Sequence, residues 1–90
     1  MQVKLTRANN TTKNNTQWGE NVTHETNGNG NLCGPGWLHY YEDEYLAVFM
    51  DPVHGNFGKN GRMWEVKVEG NVLQHADKSG CTKLTTIREI

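Results

Sequence analysis

Met63 to Glu69 alternates without a break: Trp64, Val66 and Val68 fall on one side of an extended chain, Glu65, Lys67 and Glu69 on the other. Such a segment suits a strand with one buried and one wet face, and an α-helix would scatter the same residues around its circumference. The chain around it must therefore supply partner strands and one apolar layer. Gln2-Val3-Lys4-Leu5-Thr6-Arg7 alternates in the same way and reads as a first strand. Gly70-Asn71 reads as a turn into a short strand at Val72 to Gln74, and Cys81 to Glu89 as a last strand. In that last strand Leu84 and Ile87 fall on opposite faces, which calls for a bulge or for burial on both sides.

Between these strands apolar residues are scarce. The hydrophobic fraction is 34%, against roughly 45–50% in typical globular chains. Eleven Asn, nine Thr and ten Gly fill the gap. Asn and Thr side chains compete for backbone hydrogen bonds inside helices, whereas Asn suits turns and Thr suits strands. Ninety residues hold one core, so positions 1–90 read as a single domain, with 8–16 as a polar loop. A second strand is expected around Gln17 to His24. The run Asn27-Gly28-Asn29-Gly30-Asn31 is a turn signal, and Gly34-Pro35-Gly36 delivers the chain into an aromatic strand at Trp37 to Tyr40. Glu42, Asp43 and Glu44 suit the positive end of a helix spanning about 43–50 that stops before Pro52. Its interior, Tyr45 to Met50, is apolar all round, which predicts burial on most sides. The fold class expected is α+β, with about five short, mainly antiparallel strands around one short central helix.

Charge divides the chain. From Asn14 to Gly58 there is no Lys or Arg, while Glu20, Glu25, Glu42, Asp43, Glu44 and Asp51 are all present. The formal net charge of −1 thus conceals an acidic middle between mildly basic ends. The balance argues against direct nucleic-acid binding, which draws on a basic excess. The longest apolar run, Tyr45 to Met50, is too short to span a membrane. The N-terminal residues lack the apolar stretch of a secretory signal, so the chain reads as cytoplasmic or already processed. Four Asn-x-Ser/Thr sequons begin at Asn9, Asn10, Asn14 and Asn21, as chance supplies in so Asn- and Thr-rich a chain.

Few residues carry chemistry. Cys33 and Cys81 are the only cysteines, and in a reducing cytosol they act as small hydrophobes rather than a disulfide. Cys33, His39, His75 and Cys81 form a conceivable zinc set, but zinc ligands come in closer pairs than these, so no metal and no cofactor is expected. His39 beside the acids is raw material for acid–base catalysis. No nucleophile motif accompanies it, and the residues lean away from an enzyme. The acidic run Glu42-Asp43-Glu44 with Asp51 is the surface candidate for meeting a basic groove, with Tyr40 and Tyr41 as exposed aromatic anchors. The plainer reading of the acids is a solvated helix start.

Cys33-Gly34-Pro35-Gly36-Trp37-Leu38-His39, Tyr41, Leu46 to Pro52, Trp64-Glu65-Val66, Gly70, Lys78-Ser79-Gly80-Cys81 and Leu84-Thr85-Thr86 resemble the pattern of a family of short phage and prophage proteins of unknown function. The resemblance spans about Trp18 to Ile90. It implies a small viral accessory protein in a bacterial cytosol that binds and inhibits or modulates a host protein or complex, such as a defence system or one that handles nucleic acid. Two alternatives stand beside it. Gly36-Trp37-Leu38-His39, the Tyr45 to Met50 helix and the Trp64 to Glu69 strand are similar in order to ADP-ribosyltransferase-like folds, although the chain is short for one and no Arg lies where a phosphate needs it. The other alternative is a virion or assembly accessory.

Overall fold

A computed structural model describes residues 1–12, 15–32, 34–54, 61–75 and 78–90, and the side chains of all of these except 50–54. The described residues form seven strands and one helix: β1 (Val3–Thr6), β2 (Thr11–Thr12), β3 (Thr16–Gln17), β4 (Val22–Glu25), β5 (Leu38–Tyr40), α1 (Glu44–His54), β6 (Arg62–Gln74) and β7 (Ser79–Glu89). The broad class, antiparallel strands with one short helix, is the one the alternation requires. The strands are not all short, however. β6 has 13 residues and β7 has 11, and they pair along almost their whole length.

The two long strands organise everything else. β1 pairs with the first half of β6, β4 with the middle of β7, and β5 with the start of β7, all antiparallel. Beyond the end of β5, Val3 and Tyr41 exchange backbone hydrogen bonds of 2.9 and 2.8 Å. The ladder therefore runs from β1 through β6, β7 and β5 and back to β1. Closing so few strands demands strong curvature, and β-bulges supply it. Glu65 pairs with Arg88 and Val66 with Thr86, so Ile87 is the extra residue on β7. This is the bulge that the Leu84 and Ile87 faces call for.

The second irregularity corrects the expected turn at Gly70-Asn71. The chain does not reverse there; β6 continues, and the pairing steps from Glu69–Lys83 to Val72–Cys81. Gly70 adopts φ 77°, and a Cβ on it would lie 2.2 Å from Thr82 Oγ1, so only glycine fits. The Asn71 N–H donates to the same oxygen at 2.9 Å. A hydroxyl thus takes over where the ladder is interrupted.

Two apolar clusters hold the assembly. Trp18, Leu38, Tyr40, Val66, Cys81 and Leu84 form the larger, with Val22 and Val68 at its margin. Val3, Tyr41 and Ala47 form the smaller, with Leu5, Leu46 and Met63, and this cluster seats α1 against β1. The expected strand over Gln17 to His24 is broken into β3 and β4, because Gly19 and Asn21 both adopt positive φ. Part of the expected polar loop at 8–16 is a hairpin, with Thr11 opposite Gln17 and Thr12 opposite Thr16. Arg7 Nη1 donates to Thr12 O at 3.0 Å, and Trp18 Nε1 to Thr12 Oγ1 at 3.0 Å. Among the described residues no helix is long and apolar enough to cross a membrane.

Candidate functional site

The helix is where expectation and structure diverge most. An 11-residue helix crossing a small curved sheet can bury only one stripe, whatever its composition. Ala47 is fully buried and Leu46 is half-buried against Val3, Tyr41, Leu5 and Met63. The opposite face carries Tyr45, Val48 and Phe49, which are 85%, 65% and 78% exposed. Spacings of three and four residues place these three side chains together on one face of a helix. The expectation of burial on most sides is thereby corrected. The helix also continues through Pro52 to His54. Proline lacks the N–H that would bond the Val48 carbonyl, so the helix passes through Pro52 with that one bond missing.

The aromatic anchors expected at Tyr40 and Tyr41 are not on the surface. Tyr40 is 1% and Tyr41 9% exposed, because both belong to strands or bridges inside the closed ladder. Burial, then the nearby Glu42 carboxylate, pushes the Tyr40 phenol above its ordinary range.

Each acid at the start of α1 has a structural task. Asp43 Oδ1 accepts the Leu46 N–H at 2.7 Å, which makes Asp43 the N-cap. Glu42 accepts from Gln2 Nε2 at 3.2 Å through one oxygen, and from Gln74 Nε2 at 2.7 Å and Ser79 Oγ at 3.3 Å through the other. It thus ties the N-terminal segment to the far ends of β6 and β7. Glu44 lies 3.5 Å from the N-terminal ammonium. Glu42 and Asp43 nevertheless remain exposed and border the Tyr45 turn. The side chain of Asp51, the fourth acid, lies outside the described residues.

Among the described residues, the expected chemical side chains do not form one cluster. His39 is on β5, and its Nε2–H donates to the Leu32 carbonyl. Cys81, on the neighbouring β7, is fully buried in the larger cluster, and its thiol donates to the Lys83 carbonyl at 3.3 Å. Burial raises the pKa of that thiol above its usual range, against smaller lowering influences that include the Lys4 ammonium. His75 is exposed, and Cys33 lies outside the described residues. Among the described residues no three His, Cys, Asp or Glu side chains stand together as a metal-holding group.

Sequence reasoning missed Lys4. In β1 the polar face is buried as fully as the apolar one: Val3, Lys4 and Thr6 are 0%, 7% and 0% exposed. The Lys4 ammonium donates to the His39 carbonyl at 2.6 Å and lies 5.0 Å from the Trp18 ring centroid. Desolvation lowers its pKa from 10.5 to about 8. No alternation pattern announces this, since a lysine on the polar side of a strand reads as solvated.

No curated protein and no solved structure matches the chain. A family model does match, over residues 2–90. The chain belongs to the family of the domain of unknown function DUF7666.

Proposed function

We propose that this domain is a protein-binding module whose contact surface is the outer face of α1. The observation that carries the reading is the exposure of Tyr45, Val48 and Phe49 on one helical face. Leaving three large apolar side chains in water forgoes burial that stabilises a small domain, at roughly 25 cal/mol per Å² of apolar surface. Clustered rather than scattered, such residues mark contact sites, and aromatic side chains are frequent anchors in them. The surface differs from the one the sequence suggests: Tyr45 and Phe49 take the place of Tyr40 and Tyr41.

The partner that fits has an apolar groove bordered by Lys or Arg. Glu42 and Asp43 border the face, and residues 14–58 contain no Lys or Arg. Opposite charges at the rim steer encounter and govern its salt dependence. The likeness to short phage proteins supports a bacterial host protein as that partner, with inhibition or modulation as the effect.

The test compares the wild-type domain with the Tyr45→Ser, Phe49→Ser variant as baits in bacterial lysate, with a photo-crosslinker at Val48. One partner crosslinked in stoichiometric yield by the wild type and lost by the variant supports the reading. Equal capture by both contradicts it. Concentration-dependent dimerisation of the wild type alone assigns the face to a second copy.

A further inference from the structure

The Asn-Gly-rich turn has a chemical consequence separate from partner binding. Two Asn-Gly pairs lie four residues end to end, Asn27-Gly28 and Asn29-Gly30, and the structure treats them differently. The Gly28 N–H donates to the Gly36 carbonyl at 2.8 Å. The Asn27 side-chain oxygen is also engaged, accepting the Asn29 N–H at 2.9 Å. Gly28 is packed as well: a Cβ there would lie 2.9 Å from Thr82 Cγ2. By contrast, among the described residues the Gly30 N–H has no acceptor and the Asn29 side chain no hydrogen-bond partner. Both Asn29 and Gly30 are exposed. Nothing lies within 4 Å of a Cβ built on Gly30.

We infer that Asn29 is a site of spontaneous, structure-selected deamidation, with Asn27 protected by the fold. Once deprotonated by solvent hydroxide, the Gly30 backbone nitrogen attacks Asn29 Cγ. The N–Cγ bond forms, the Cγ–Nδ2 bond breaks, and the nitrogen leaves as ammonia. Water then opens the cyclic imide at either carbonyl, giving aspartate or isoaspartate at position 29. The net reaction consumes one water and needs no other reagent. Glycine after the asparagine matters because no Cβ obstructs the ring closure. Asn27 cannot follow the same course while Gly28 holds its N–H on Gly36 and Asn27 holds its oxygen on the Asn29 N–H.

The product changes the surface in two ways. It adds a negative charge to a cleft lined by Glu25, Thr26, Asn27, Asn29, Pro35 and Gly36, within the segment that lacks Lys and Arg. In the isoaspartate form it also inserts one carbon into the main chain directly before Gly30, whose carbonyl accepts the Trp37 Nε1–H at 3.2 Å.

The experiment incubates the folded domain at mildly alkaline pH and, in parallel, in denaturing urea. Peptide fragmentation by mass spectrometry then assigns acid to position 27 or 29. Asn29 is expected to convert several-fold faster than Asn27 in the folded protein, and the two at similar rates in urea. Asn60-Gly61 is a third Asn-Gly pair, so isoelectric focusing compares Asn60→Gln with the Asn29→Gln, Asn60→Gln double variant, and the acidic form is expected in the first and not in the second. Equal native rates at the two positions overturn the inference. So does a native protein in which neither converts while both convert in urea.

Discussion

The Lys4 ammonium lies 5.0 Å from the centroid of the Trp18 ring, and no carboxylate among the described residues pairs with it. Its charge is met by the His39 carbonyl, 2.6 Å away, and by the electron-rich face of the indole. These partners offset desolvation only in part, since the pKa still falls to about 8. In the unfolded chain the same amine holds its proton up to about 10.5. Between those two values the unfolded state binds more protons, so this group makes stability rise with pH across that window. Below pH 8 both states are charged, and the folded state carries the full burial cost.

Lys4→Met is therefore expected to stabilise the domain most at neutral pH and least near pH 10. The difference between its urea-unfolding stability and that of the wild type should shrink by about 2–3 kcal/mol between pH 7 and pH 10. The raised thiol of Cys81 and phenol of Tyr40 act the opposite way, losing stability as pH rises. Because the Lys4 ammonium itself pulls the Cys81 thiol down, the comparison is made in a Cys81→Ala background.

Two glycines with nearly the same backbone test the bulge in β6. Gly70 has φ 77° and its Cβ position is occupied by Thr82 Oγ1, whereas Gly30 has φ 79° and open space. Gly30→Ala should cost about 1–2 kcal/mol, from the left-handed backbone alone. Gly70→Ala adds overpacking and should cost about 3 kcal/mol or more. Chemical denaturation of the two variants side by side measures the gap.

Asp43 caps α1 through the Leu46 N–H at 2.7 Å. Asp43→Ala should destabilise the domain by about 1 kcal/mol, and Asp43→Asn should restore most of it, because an asparagine oxygen caps as well. Thermal unfolding followed by circular dichroism gives both values. Equal losses in the two variants would show that the charge, rather than the cap, is what matters.

Leu84 is fully buried in the larger cluster and sits opposite both Val68 and His24. Leu84→Ala should cost about 2–5 kcal/mol, as core leucine deletions do. Tyr45→Ser, on the outer face of α1, should leave stability nearly unchanged. A Tyr45→Ser loss as large as that of Leu84→Ala would place the outer face in the core.

Much of the sheet was legible from period and turn chemistry. Trp64 and Val66 point inward and Lys67 outward, as the alternation demands, and Ile87 is the bulge implied by Leu84. Two kinds of residue escaped. Lys4 follows the polar side of β1, yet sheet closure through Val3 and Tyr41 buries both sides of that strand. Tyr45, Val48 and Phe49 lie in a run that is apolar all round, and composition does not say which stripe a lone helix buries. Length decides it: one 11-residue helix has only one sheet to lie on. The acids were legible as a helix start, and Asp43 is its cap; that Glu42 reaches Gln2, Gln74 and Ser79 depends on contacts no local pattern encodes.

The most direct measurement of the central claim is the affinity and salt dependence of the crosslinked partner for wild type and for Tyr45→Ser, Phe49→Ser, with unfolding curves of both domains alongside. Unchanged unfolding, binding weakened at least tenfold, and wild-type affinity that falls with salt are the predicted result. Undiminished binding by the variant would contradict the account.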